Sequence, residues 1–153
     1  MHVAVPHRVL RRLAALIAAM EKNLTGDDQV SMLALVEPSC YMCKLAVDEM
    51  QDVHDRVTKH GVKYYLVSFL TTAPASDFFN YTDSLGIDAP AFLWEMTEGK
   101  PPAKLLSMVT RSHLLVDRSG VILRTWPGAN SDEATRERMA NQIVSETLDE
   151  QSR

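Results

Sequence analysis

Apolar residues fill positions 30–36 almost without interruption: Val30, Met32, Leu33, Ala34, Leu35 and Val36 leave only Ser31 polar. A short run that is apolar on both faces predicts a buried central strand, and Pro38 blocks its continuation. From 41 to about 59 the period changes. Leu45, Ala46, Met50, Val53 and Val57 recur at helical spacing, while Asp48, Glu49, Gln51, Asp52, Asp55 and Arg56 are expected to face away. His60-Gly61 ends that helix. Positions 62–70, carrying Tyr64, Tyr65, Val67 and Phe69, predict a second strand. A β-α-β order with short connections implies two parallel strands joined by a right-handed crossover.

Downstream, 71–76 reads as a loop, and Ser76 or Asp77 caps a short helix that runs through Leu85 and closes at Gly86. The stretch 88–109 contains Pro90, Gly99, Pro101 and Pro102 and predicts a long excursion with a short helix near Leu105. Two strands, 112–116 and 121–126, flank the turn sequence Asp117-Arg118-Ser119-Gly120 and form an antiparallel hairpin. Ser131, Asp132 and Glu133 start a final helix by cap and dipole, with Ala140, Ile143, Val144 and Leu148 as its apolar stripe.

Ahead of the first strand, 7–24 places Leu10, Leu13, Ala14, Ile17 and Met20 at intervals of three and four beside Arg8, Arg11 and Arg12. Only eight uncharged residues, 13–20, run together, against about 20 for a membrane span. An amphipathic helix packed on the domain is preferred here to an export signal. That preference favours the cytoplasm, with an exported, periplasmic chain as the alternative. The resulting division is an N-terminal helix over 1–26 and one domain over 27–153.

A chain of 153 residues, 46% hydrophobic and 24% charged, is one soluble globular domain with room for a core. Its net charge of −4 argues against a nucleic-acid surface. Two cysteines cannot make a disulfide framework. They stand as Cys40-Tyr41-Met42-Cys43, between the first strand and the first helix. A thiol at a helix N-terminus meets unpaired backbone N–H groups and the positive end of the helix dipole, both of which favour thiolate. Cys40 is therefore the expected nucleophile. Cys43, one turn on, lies within disulfide reach and is the expected resolving thiol.

The same spacing serves as half of a zinc site, and His54 and His60 follow it. A continuous helix from Cys43 to His54 separates the two by roughly 16 Å, whereas ligands of one zinc sit within about 2.3 Å of the ion. Both histidines are expected to be solvated positions late in a surface helix. His113 is expected to be a packed, hydrogen-bonded imidazole, and Trp94 and Trp126 to be core or loop anchors.

The element order, Cys40-x-x-Cys43-Lys44 opening the first helix, and Leu114-Leu115-Val116-Asp117-Arg118-Ser119-Gly120 at the hairpin together resemble the thioredoxin-like thiol–disulfide oxidoreductases of the TlpA and redoxin kind. The resemblance covers roughly 29–148. It implies a thioredoxin-like α/β fold, a central mixed sheet with helices on both faces, to which the N-terminal helix is an addition. It also implies dithiol chemistry on a protein disulfide or dithiol substrate, with no organic cofactor.

Four features depart from that family's pattern. Ser39 stands where an aromatic precedes the motif, Tyr41-Met42 replaces Gly-Pro, and Ala34 occupies the place of a buried acid, for which Glu37 or a water is a candidate substitute. Counting back from Asp117 puts Arg111, preceded by Thr110, where a cis-proline is usual. Peroxiredoxins carry an arginine in the corresponding segment, so Arg111 resembles theirs, although their Pro-x-x-x-Thr-x-x-Cys signature is absent. The expected site is thus Cys40, Cys43 and Arg111, with Tyr41, Met42 and Thr110 contacting substrate. A thiol peroxidase and a module holding a soft metal between Cys40, Cys43 and His113 are the alternatives.

Overall fold

A computed structural model describes residues 8–10, 30–36, 47–68, 75–94, 111–117, 122–127 and 132–153. Six strands form one sheet: β1 (Arg8–Leu10), β2 (Val30–Leu35), β3 (Lys63–Ser68), β4 (Ala91–Trp94), β5 (Arg111–Asp117) and β6 (Ile122–Pro127). The helices are α1 (Val47–Thr58), α2 (Ala75–Ser84) and α3 (Glu133–Gln151). Strand order is β1-β4-β3-β2-β5-β6. The first four run parallel, β5 is antiparallel to β2, and β6 is antiparallel to β5.

Register shows which side chains share a face, because directly paired residues project to the same side of a sheet. Leu66, Ala34, His113 and Trp126 form one such row, and Tyr64, Met32, Leu115 and Arg124 the next. On this face the strands join Met50, Val53 and Val57 of α1, Phe78 of α2 and Ala140, Ile143 and Val144 of α3 in one apolar cluster. All three helices therefore lie on one side. The opposite face buries Leu33, Tyr65, Val67, Phe92 and Leu114. Helices on both faces were the expectation; among the described residues they occupy only one, as two successive right-handed crossovers in the same direction require.

Among the described residues the backbone turns left-handed at two glycines, Gly61 at φ 84° and Gly86 at φ 71°, which close α1 and α2. The Val62 N–H donates to the Val57 carbonyl as the chain leaves α1. Two findings differ from the sequence pattern. The segment 88–109 contains a strand, β4, paired with both β3 and β1. Its four residues fall between prolines, too few to show a period. Arg8–Leu10, expected inside the N-terminal helix, instead form β1 alongside Phe92–Trp94. The rest of that proposed helix, the expected short helix near Leu105, the Arg118-Ser119-Gly120 turn and Ser131 lie outside the described residues. None of the described helices is long and apolar enough to cross a membrane.

Candidate active site

The carboxyl end of a parallel strand is where an open α/β sheet presents its functional groups. At that end of β2 the Val36 N–H donates to the Val67 carbonyl at 2.9 Å, and the chain departs towards Cys40; it is described again from Val47 in α1. Because β5 runs antiparallel and pairs His113 with Ala34, its first residue, Arg111, sits at the same edge. Arg111 is placed by its backbone alone. Cys40, Tyr41, Met42, Cys43, Thr110 and Glu37 lie outside the described residues.

Beneath this edge lies a buried polar network. His113 has no solvent exposure and faces Ala34 across the ladder. Its Nε2 is 2.8 Å from the Tyr64 hydroxyl, which donates in turn to the Met50 carbonyl at 3.4 Å, and its Nδ1 is 3.0 Å from Ser112 Oγ. The contact with Tyr64 runs diagonally over β2, past the small side chain of Ala34. Burial pushes the His113 pKa down to about 3, so the imidazole is neutral. Neutral imidazole has one donor and one acceptor, which fit an Nε2–H donated to Tyr64 and an Nδ1 accepting from Ser112. The packed, satisfied histidine expected from the sequence is thus found.

Glu49 corrects the sequence reading. Expected to face away, it is 6% exposed, and its Oε1 has no hydrogen-bond partner among the described residues. Burial pushes its pKa up to about 7, with the Arg136 guanidinium pulling the other way. The residue lines a cleft of about 180 Å³ between α1 and α3, with Asp48, Asp52, Glu133, Arg136 and Glu137. Helix α1 is wedged between the sheet and α3, so its buried arc widens from 50/53/57 to include 49. That third contact cannot be read from one amphipathic stripe.

His54 also differs from expectation. It is half-buried, packs edge-on to Tyr64 with ring centroids 5.1 Å apart, and places Nε2 3.1 Å from the Asp88 carbonyl. It lines a second cavity, about 310 Å³, with Thr58, Lys63 and Asp88, at the amino end of β3 and therefore at the opposite edge from the motif. His60 is exposed, as expected. Trp126 is a core anchor, 2% exposed, with Nε1 donating to Glu146 at 2.8 Å.

No family model and no curated protein matches this chain. Solved structures do. A thioredoxin-like protein in its oxidised form is 14% identical, with 83% of this chain and 84% of that one covered at a TM-score of 0.57. A putative thiol:disulfide interchange protein DsbE from Chlorobium tepidum is 17% identical over 80% and 82%, TM-score 0.54. The bacterioferritin comigratory protein of Xanthomonas campestris, described for alkyl peroxide reduction, is 10% identical over 78% and 81%, TM-score 0.52. At such low identity what is shared is the architecture, and by that measure the chain has a thioredoxin-like fold.

Proposed function

We propose that the chain is a thiol–disulfide oxidoreductase with Cys40 as nucleophile and Cys43 as resolving thiol. The observation that carries this reading is the placement of Cys40-x-x-Cys43 between the carboxyl end of β2 and α1 in a thioredoxin-like fold. The Cys40 thiolate attacks a substrate disulfide, one substrate sulfur leaves as thiolate, and the mixed disulfide is broken by Cys43, leaving a Cys40–Cys43 bond and a reduced substrate. Tyr41 and Met42, an apolar pair next to Cys40 in sequence, suit a protein segment better than glutathione as substrate, and Thr110, just before β5 in sequence, is the third expected substrate contact.

Catalysed reduction of a disulfide-bonded protein tests this. Rapid peroxide consumption without it would transfer the site to peroxidase chemistry, and a stoichiometric co-purifying soft metal would transfer it to metal binding. Iodoacetamide at neutral pH should label Cys40 ahead of Cys43 when the reduced protein is mapped by mass. Equal labelling, or Cys43 first, would remove the assigned roles.

Arg111 opens β5 at the motif's edge and supplies the fixed positive charge that favours thiolate at Cys40. Arg111→Ala should raise the thiol pKa by about one unit and slow alkylation at constant pH, with the fold intact. An unchanged alkylation profile against pH would assign Arg111 to the surface.

A further inference from the structure

Helix α3 buries side chains along only part of its length. Among 132–139 no residue is buried, and only Met139 packs against the core, partly covered. Ala140 is the first buried position, followed by Ile143, Val144 and Thr147. Three polar ties reach that same half. Arg56 Nη1 donates to Asn141 Oδ1 at 2.8 Å, Trp126 Nε1 to Glu146 at 2.8 Å and Arg124 Nε to Glu150 at 3.2 Å. Lifting the first two turns, 133–139, would therefore uncover little apolar surface of α3, while the remainder is anchored to α1 and β6.

Glu49 lies across the cleft from those two turns. Its Oε1 has almost no accessible surface and no hydrogen-bond partner among the described residues, and Glu133, Arg136, Glu137 and Ala140 form the α3 side of the cleft it lines. The charged and titratable groups facing it are Asp48 and Asp52 on its own helix, Glu133, Arg136 and Glu137 on α3, and Tyr64 on β3. A neutral carboxyl is tolerated in such a place. An ionised one has lost its water and shares the cleft with four other carboxylates, and Arg136 is the one cation among the described residues lining it.

We propose that the α1/α3 cleft is a pH-sensitive latch: neutral Glu49 lets the first two turns of α3 close on α1, and its ionisation releases them to swing about residue 140. The rest of α3 stays docked. No cysteine takes part, so the latch is independent of the dithiol reading. Release hydrates the carboxylate and moves Glu133 and Glu137 away from Asp48 and Asp52; the attraction of Arg136 opposes it. Burial outweighs that attraction, since it holds the Glu49 pKa at about 7 against 4.5 in water. A carboxyl raised in the closed arrangement favours closure fully below 4.5; the preference falls as pH rises and levels off above 7.

Amide hydrogen exchange on the full chain tests this, read as protection factors so that the pH dependence of exchange itself divides out. Between pH 6 and 8 the protection of amides 136–140 should fall about tenfold, while that of 143–148 and of β2 and β3 holds. Glu49→Gln should keep 136–140 protected at both pH values. A fall shared equally by 136–140, 143–148 and the sheet would be global unfolding and would overturn the latch, as would a local fall that persists in Glu49→Gln. Should that variant fail to fold, carboxyl ¹³C titration of Glu49 in the unaltered protein decides. Its midpoint should coincide with the loss of protection at 136–140, and a midpoint in the ordinary carboxylate range would sink the proposal.

Discussion

Cys40→Ser should abolish disulfide exchange, with a rate fall of roughly three orders of magnitude or more, because a hydroxyl at neutral pH is not an effective nucleophile towards sulfur. Cys43→Ser should behave differently. The first attack survives, resolution does not, and a mixed disulfide through Cys40 accumulates. If the apolar pair Tyr41-Met42 docks substrate, that adduct contains a protein partner. Both variants are read by a disulfide-reduction assay and by non-reducing electrophoresis with mass identification of the conjugate. A Cys40→Ser chain that keeps more than about a tenth of the activity would remove the nucleophile assignment. Recovery of glutathione adducts alone would count against the docking surface and favour the peroxide reading.

Most of the fold is legible from periodicity because its longer elements bury a single unambiguous pattern. The continuous apolar run of β2 and the 50/53/57 stripe of α1 announce a buried strand and a packed helix. The final helix is marked by Ala140, Ile143 and Val144, all buried, and Asp132 is its N-cap residue. The elements that escaped are short. Strand β1 has three residues and β4 four; β1 owes its strand state to pairing with β4, and β4 to pairing with β1 and β3, rather than to its own pattern. Tertiary pairing of that kind leaves no local signal.

The site divides the same way. Its thiols are visible because two cysteines at this spacing, between a strand and a helix, have few other uses in a chain with only two. The buried polar groups on the helix-covered face of the sheet are not visible. Ala34 in place of an acid reads as a loss from the sequence; in the fold it is the gap over which Tyr64 and His113 meet, thirty and seventy-nine residues downstream of it. Glu49 was hidden for a related reason: a carboxylate in an acidic helix reads as solvent-facing until α3 closes over it. Charge alone predicts exposure; burial of a charge is a tertiary event.

Stability should stay nearly level between about pH 4.5 and 6.5, because two buried groups oppose each other there. His113 has a folded pKa of about 3 against 6.5 unperturbed, so its contribution is complete above 6.5 and is lost as pH falls, by about 1.4 kcal/mol per unit. Glu49 has a folded pKa of about 7 against 4.5, so its contribution is complete below 4.5 and is lost as pH rises through 7. Below 4.5 only the His113 loss remains. Counted from 6.5 that loss reaches roughly 3 kcal/mol by pH 4, but only the last half unit, about 0.7 kcal/mol, is not offset by Glu49. Glu49→Gln removes the falling limb. The variant should gain stability with pH up to 6.5 and exceed the unaltered protein at pH 8 by roughly 1–2 kcal/mol, the cleft's water having screened part of the charge. His113→Leu should cost about 1–3 kcal/mol at pH 7, since the Tyr64 hydroxyl keeps only the long contact to Met50, and should flatten the acid limb. Urea unfolding in half-unit steps from pH 4 to 8 measures all three, and differences between variants cancel the titration of surface carboxylates. Parallel curves for the unaltered protein and Glu49→Gln would mean that Glu49 titrates as an ordinary solvated carboxylate. An acid limb that survives His113→Leu would place the acid sensitivity in another residue.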